Sequence, residues 1–244
     1  MTGWDDGVFA QVAARFGVVG RPRPLPGERT RNALVEPLDG AAPPIVVKVH
    51  PVSDGPDLDL ELAALRHLRA AGLSCRVPAP GPSTGGVDVV EVAAPDGVRL
   101  ARALTWVPGR GWTGAEPATA LAELGRLVAT VDAALAGFDH PHAGRPLAWN
   151  LARADELLAK LDELDDALAG ERGAVTSAVL ERFRDAVRPA LDALPAQVIH
   201  NDANDANVLL DFNAKNPGRA AKAVYMLYYR SPLAVATFAK TGIV

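Results

Sequence analysis

Apolar residues at Val8, Phe9, Val12 and Phe16 recur about one helical turn apart, which predicts a short amphipathic helix over residues 4–16. The segment Arg21-Pro22-Arg23-Pro24-Leu25-Pro26-Gly27 carries three prolines and a glycine, so it is expected to be a loop. Asn32 to Leu38 and the β-branched run Ile45-Val46-Val47-Lys48-Val49-His50 are predicted strands, joined through Asp39-Gly40 as a hairpin. Leu58, Leu62, Leu65 and Leu68 share one face of a predicted helix over 57–71, which Gly72 ends. A Pro/Gly-rich loop over 78–86 precedes two further predicted strands, 87–93 and 99–107, around the turn Asp96-Gly97.

Beyond Gly114 the period changes to that of helices. Leu121, Leu124, Leu127, Val128, Val131 and Leu135 form one stripe. Leu157, Leu158, Leu161, Leu164 and Leu168 form a second, and Val179, Leu180, Phe183, Val187 and Leu191 a third, broken at Pro189. Strands with one helix come first and helices follow, so the chain is expected to be α+β, with a sheet-bearing first half and a helical second half.

Composition narrows the class. With 49% hydrophobic and 22% charged residues over 244 positions, the chain has a globular balance and enough length for a sizeable core. Cys75 is the single cysteine, which excludes an intrachain disulfide and a cysteine metal cluster. The start is acidic with no apolar run, and no stretch approaches a membrane span, so no membrane partner and a cytoplasmic location are expected. A net charge of −4 gives no support to nucleic-acid binding. Nothing in the residues fixes an oligomeric state.

The charge is unevenly placed. Every acidic residue lies at or before Asp211, whereas residues 212–244 carry Lys215, Arg219, Lys222, Arg230 and Lys240 and no acid. The tail also holds all three tyrosines. Its apolar runs, 224–229 and 233–238, fit either strands or one helix.

Chemistry concentrates in Val198-Ile199-His200-Asn201-Asp202-Ala203-Asn204-Asp205-Ala206-Asn207-Val208-Leu209-Leu210. Its skeleton is His-x-Asp-x-x-x-x-Asn between two short apolar runs. Such runs anchor a loop at both ends, so that a carboxylate and an amide can serve one reacting centre. Phosphoryl transfer uses that pair, with Asp receiving the acceptor proton and Asn holding Mg²⁺. An Asn/Asp-rich polar turn is the plain alternative. Upstream, Lys48 interrupts an apolar strand, where it is either an edge-strand charge or a paired buried lysine. Glu61 lies on the next helix, either solvated or reaching back to Lys48. His140-Pro141-His142 is expected to be a solvent-facing loop. The motifs of P-loop, zincin and α/β-hydrolase enzymes are missing.

Together these stretches resemble the aminoglycoside phosphotransferase and choline kinase family, most of all its hydroxylysine-kinase-like branch. The resemblance rests on Leu25–Val35, Ile45–Val49, Glu61 with Leu65 and Leu68, Leu104–Arg110 and Val198–Leu210, and covers about residues 8–211. It implies a bilobal protein-kinase-like fold: an N-lobe antiparallel sheet with one helix (1–107), a truncated helical C-lobe carrying the catalytic loop (108–211) and an atypical basic tail (212–244). The implied co-substrate is ATP with Mg²⁺, and the implied partner a small molecule bearing the acceptor hydroxyl.

By the resemblance, residues 26–32 with Arg29 would cover the phosphates. Lys48 would bind them, positioned by Glu61, and Thr105 to Val107 would offer backbone groups to adenine. Asp202 would be the base, Asn207 a metal ligand, His200 a support of the loop, and Asp205 a neighbour of the acceptor. The family also needs a second metal-binding Asp in a strand a dozen or more residues after the Asn. Asp211 comes only four residues after Asn207, so it is read as the end of a short strand. The expectation is that the native C-terminus has been replaced, with activity weak or lost.

Overall fold

The computed structural model describes residues 6–27, 30–40, 42–73, 75–145, 171–194, 196–201, 203, 207–211, 223–226 and 234–237. Helix α1 (Asp6–Arg15) is followed by strands β1 (Gly20–Leu25), β2 (Arg31–Pro37) and β3 (Ile45–His50). A single 3-10 turn leads into α2 (Gly55–Ala70), and then come β4 (Pro80–Gly81), β5 (Val90–Ala94) and β6 (Gly97–Thr105). These strands form one antiparallel sheet in the order β1-β2-β3-β6-β4, with β5 also paired to β6.

The segment read as a proline loop is the edge strand β1. Leu38 N donates to Val19 O, which fixes the hydrogen-bonded positions of the β1–β2 ladder. Pro22 and Pro24 fall at the alternate positions, opposite Val35 and Ala33, where no N–H is called for. Prolines therefore cost this strand nothing on its paired side, and they blunt the open edge.

Side chains alternate across the sheet. Ala33, Val35, Val47, Val49 and Ala101 face α1 and pack with its Phe9, Val12 and Ala13. The other face carries Asn32, Lys48 and Arg102 in one row across β2, β3 and β6, because Asn32 pairs with Lys48 and Lys48 with Arg102. That face meets α2. β3 is an interior strand, which disposes of the edge-charge reading of Lys48.

A short strand β7 (Arg110–Gly111) and helix α3 (Ala118–Leu135) follow. α3 buries Ala120, Leu127, Val131 and Leu135 but leaves Leu121 exposed, so its stripe is narrower than the sequence suggested. The stripe at 157–168 lies outside the described residues. Helix α4 (Glu171–Arg182) continues through a π turn (Phe183–Val187) into α5 (Arg188–Asp192). The wider turn ends two residues before Pro189, which lacks an N–H and cannot continue the α-helical ladder.

Strands β8 (Ala196–Ile199) and β9 (Val208–Asp211) bracket the polar loop. β9 pairs with β7 and with β10 (Ala223–Met226), and β8 pairs with β11 (Ala234–Thr237). The tail therefore contributes strands, with β10 antiparallel to β9 and β11 antiparallel to β8. One apolar cluster joins Leu60, Leu65 and Leu68 of α2, Leu104 of β6, Leu127 and Val131 of α3, and Val198, Val208 and Leu210 of the bracketing strands. No helix among the described residues is long and apolar enough to cross a membrane.

Candidate active site

Lys48 is 2% exposed and Arg102 0%, although each carries a formal charge. Two cations side by side in a sheet interior repel unless an anion lies between them. Glu61 supplies it. One turn before Leu65 on α2, its carboxylate meets an Arg102 guanidinium nitrogen at 2.7 Å, with both side chains buried. Glu61 is thus not a solvated helix charge. Burial alone would push its carboxyl up, but Arg102 and then Lys48 hold it below the usual range, so it is ionised. Lys48 is lowered to about 7, first by burial, with Glu61 opposing and Arg102 adding to the fall. Sequence reasoning paired Glu61 with Lys48 alone and missed Arg102. The signal available was an arginine between Leu100 and Leu104 on the same face of the strand.

His50, on the same face, has its Nδ1 3.8 Å from an Asp54 carboxylate oxygen. Burial pushes its pKa from 6.5 down to about 4, against the pull of Asp54. Above pH 6.5 the ring is neutral folded and unfolded, and the contribution to stability is complete. As pH falls from 6.5 towards 4, the unfolded chain takes up a proton that the folded chain refuses, so stability is lost. In urea titrations the wild type should lose more stability across this window than His50→Gln; equal losses would refute a buried neutral imidazole.

The turn expected to cover the phosphates is fastened to the same row. Asn32 Nδ2 donates to the Pro26 carbonyl at 2.8 Å, and Thr30 Oγ1 donates to Asn32 Oδ1 at 2.9 Å. A Cβ on Gly27 would lie 2.2 Å from Thr30 O and 2.6 Å from Asn32 Nδ2, so only glycine fits this closure. Arg29 lies outside the described residues.

At the end of β6 the chain turns through the segment expected to meet adenine. Thr105 N–H donates to Ala79 O at 2.9 Å, its hydroxyl accepts from Ala79 N–H at 2.8 Å, and Trp106 N–H donates to Pro44 O at 3.1 Å. Thr105 therefore has its donor engaged by the neighbouring strand. The Val107 N–H has no acceptor among the described residues. Gly109 then lets the chain run against β9, where a Cβ would lie 2.9 Å from Leu209 Cβ.

The polar loop is held at both ends. β7 pairs with β9 at its exit. At its entry, His200 N–H reaches an Asp132 carboxylate oxygen at 3.4 Å, and Gln197 Nε2 donates to the Asp132 carbonyl at 2.8 Å, both on α3. Asp132, whose carboxyl is raised by burial, was not foreseen. His200 and Asn207 are fully buried, so the two ends of the motif belong to the core. Between them Asn201 takes φ 63, a left-handed turn that asparagine tolerates better than other residues with a Cβ. Asp202 and Asp205 lie outside the described residues.

His140 departs from its expected exposure. Its side chain is 12% exposed, ring-stacked on Phe138 at 6.2 Å, with Nε2 3.5 Å from Asp59 on α2. No group of three potential metal ligands occurs among the described residues.

A twisted antiparallel sheet with a buried lysine, a helix carrying its counter-charge, and a helical half presenting a loop braced at both ends define a protein-kinase-like phosphotransferase fold. The chain belongs to the phosphotransferase enzyme family (APH), whose model matches residues 23–220. It is 28% identical over 233 residues to hydroxylysine kinase of Mus musculus, covering 88% of this chain and 61% of that protein. The Bos taurus hydroxylysine kinase is also 28% identical, over 219 residues, covering 82% of this chain and 57% of the relative. The chain thus spans less than two thirds of these relatives' length. Among solved structures, a microcompartment-associated aminopropanol kinase superposes with a TM-score of 0.66 at 20% identity, covering 96% of this chain and 71% of its own. An amicoumacin kinase complexed with AMP-PNP, Ca²⁺ and Ami also reaches 0.66, at 15% identity, covering 96% and 66%. These likenesses carry the fold.

Proposed function

We propose that the chain is an ATP-dependent phosphotransferase acting on a hydroxyl of a small, amine-bearing molecule of the aminoglycoside, hydroxylysine or amino-alcohol type. The observation that carries this reading is the buried Lys48–Glu61–Arg102 group beneath a fastened polar turn, in a chain of the phosphotransferase family. Lys48 and the turn at residues 26–32 would hold the triphosphate, with Arg29 on that turn. Thr105 and Val107 would present their carbonyl and N–H to the base. Asp202 would take the proton of the acceptor hydroxyl as its oxygen attacks the γ-phosphorus and ADP leaves. His200 would brace the loop, and Asp205 would face the amine of the acceptor.

The residues fit Mg²⁺ only in part. Asn207 offers a buried amide oxygen, but Mg²⁺ sites of this kind combine substrate phosphates with one or two carboxylates. β10 places Met226 opposite Val208, and the residues that follow in sequence, Leu227-Tyr228-Tyr229, carry no carboxylate. When bound, the ion would neutralise phosphate charge; this chain supplies it little anchorage, and turnover is accordingly weak. The test is transfer from γ-labelled ATP to a panel of amino alcohols, hydroxylysine and aminoglycosides. Slow transfer to a cationic acceptor is expected; robust turnover would overturn the impairment, and the lack of any nucleotide affinity would overturn the site. The missing carboxylate also favours a second reading, a nucleotide-binding pseudokinase. In that case ATP with Mg²⁺ would raise the melting temperature, no product would form, and Asp202→Asn would leave binding unchanged.

A further inference from the structure

We propose that a cavity behind the segment 105–107 is a second ligand site, taking a compact apolar molecule that bears one carboxylate and is anchored on Arg69.

The cavity encloses about 300 Å³ between the end of α2, the loop over 72–77 and the chain leaving β6. That is the low end of the range of small-molecule sites, about 300–1,000 Å³, so it suits a ligand well short of a nucleotide. Its place in the sheet separates it from the turn expected to cover the phosphates. That turn joins β1 to β2 at one edge, whereas residues 72–77 lead into β4, which pairs with β6 on the side away from β3.

Hydrogen bonds tie the walls together. Gly72 ends α2 at φ 66, and its N–H donates to Arg69 O at 3.2 Å. Arg69 Nη1 donates to Val77 O at 3.2 Å, and Thr105 exchanges two hydrogen bonds with Ala79 just beyond. Helix, loop and strand thus form one fixed concavity. A site fixed beforehand lowers the ordering cost of binding.

The lining decides the class of ligand. Leu73, Trp106 and Val107 supply apolar surface, Arg69 and Arg76 supply guanidinium groups, and no carboxylate is among the described lining residues. Val77 O is a neutral partner, so it orients the Arg69 guanidinium without cancelling its charge. The C-terminus of α2 opposes an anion with about half a negative charge, which the full charge of Arg69 outweighs. A carboxylate takes two parallel N–H bonds from a guanidinium, and an apolar body behind it covers the leucine, valine and indole surface.

Cys75 lines the same cavity and is the chain's single cysteine, so its alkylation reports occupancy without an added label. Burial pushes its thiol above the usual range, so reaction of the full chain with iodoacetamide is followed at about pH 8.5. The probes are 3-phenylpropionate and its uncharged amide. The acid should slow alkylation saturably, with half-protection at about 1 mM. The amide should protect about tenfold more weakly. Arg69 is exposed, so Arg69→Gln should fold; it should weaken protection by the acid about tenfold and leave that by the amide unchanged. Arg69→Lys, which keeps the charge but not the paired N–H bonds, should fall between wild type and Arg69→Gln. Equal protection by acid and amide, or protection by the acid that survives Arg69→Gln, would overturn the proposal. So would an unprotected wild type at about 10 mM acid. Mg²⁺-ADP should leave the acid's protection unchanged; competition between them would make the cavity part of the nucleotide site and end the inference. The acid measurement itself needs no nucleotide. A chain without ADP affinity would therefore count against the proposed function and leave this site standing.

Discussion

Replacing Glu61 by alanine is expected to remove about 3–5 kcal/mol of folding stability, seen as a large fall in the urea midpoint. The reason is asymmetry. With its carboxylate in place, Arg102 is buried at 0% exposure against an anion 2.7 Å away. Without it, two cations face each other across β3 and β6 with nothing between them. Desolvation that the ion pair offsets is then uncompensated. The companion variant Lys48→Met/Glu61→Leu/Arg102→Met removes all three buried charges and keeps the volume. It should be neutral or more stable by up to about 4 kcal/mol, because apolar packing often replaces a buried pair without loss. The same variant should bind Mg²⁺-ADP poorly, since the Lys48 amine is gone. A protein that keeps its wild-type midpoint after Glu61→Ala would mean that water reaches the guanidinium.

Asp202→Asn should slow phosphoryl transfer by about 10²–10⁴-fold while leaving nucleotide affinity unchanged. Asn is nearly the same shape but cannot accept the acceptor's proton. The loop that carries Asp202 is braced by Asp132 at its entry and by β7 at its exit, so the exchange should not disturb it. Since turnover is proposed to be slow, the measurement is a single turnover with enzyme in excess over labelled ATP. Equal rates in the two proteins would remove Asp202 from the mechanism and leave the loop as a polar turn.

The parts of the molecule visible in the sequence are those set by local pattern. β3 was delimited exactly because Ile45–His50 is a compact β-branched run, and α2 came within two residues because its leucines recur on one face. β1 was hidden, since the rule that prolines forbid regular structure is silent about an edge whose unpaired side needs no N–H. Arg102 was hidden for a different reason. Its partnership with Lys48 depends on register between strands some fifty residues apart in sequence, which no periodicity records. His140 looked exposed beside Pro141, but Phe138 stacks on its ring and Asp59 of α2 approaches its Nε2. The polar loop was found by spacing, while its fastening to Asp132 requires α3 to be in place.

Because α2, α3 and the strands bracketing the loop share one apolar cluster, the boundary drawn near residue 107 divides the sequence but not the energy. Severing the chain there would strand Leu60, Leu65, Leu68 and Leu104 in water along one side of the sheet. The sheet-bearing half made alone would sooner associate with its own copies than fold as a smaller domain. Heat should accordingly take the two halves apart in one event, and any movement between them must be a sliding of packed surfaces.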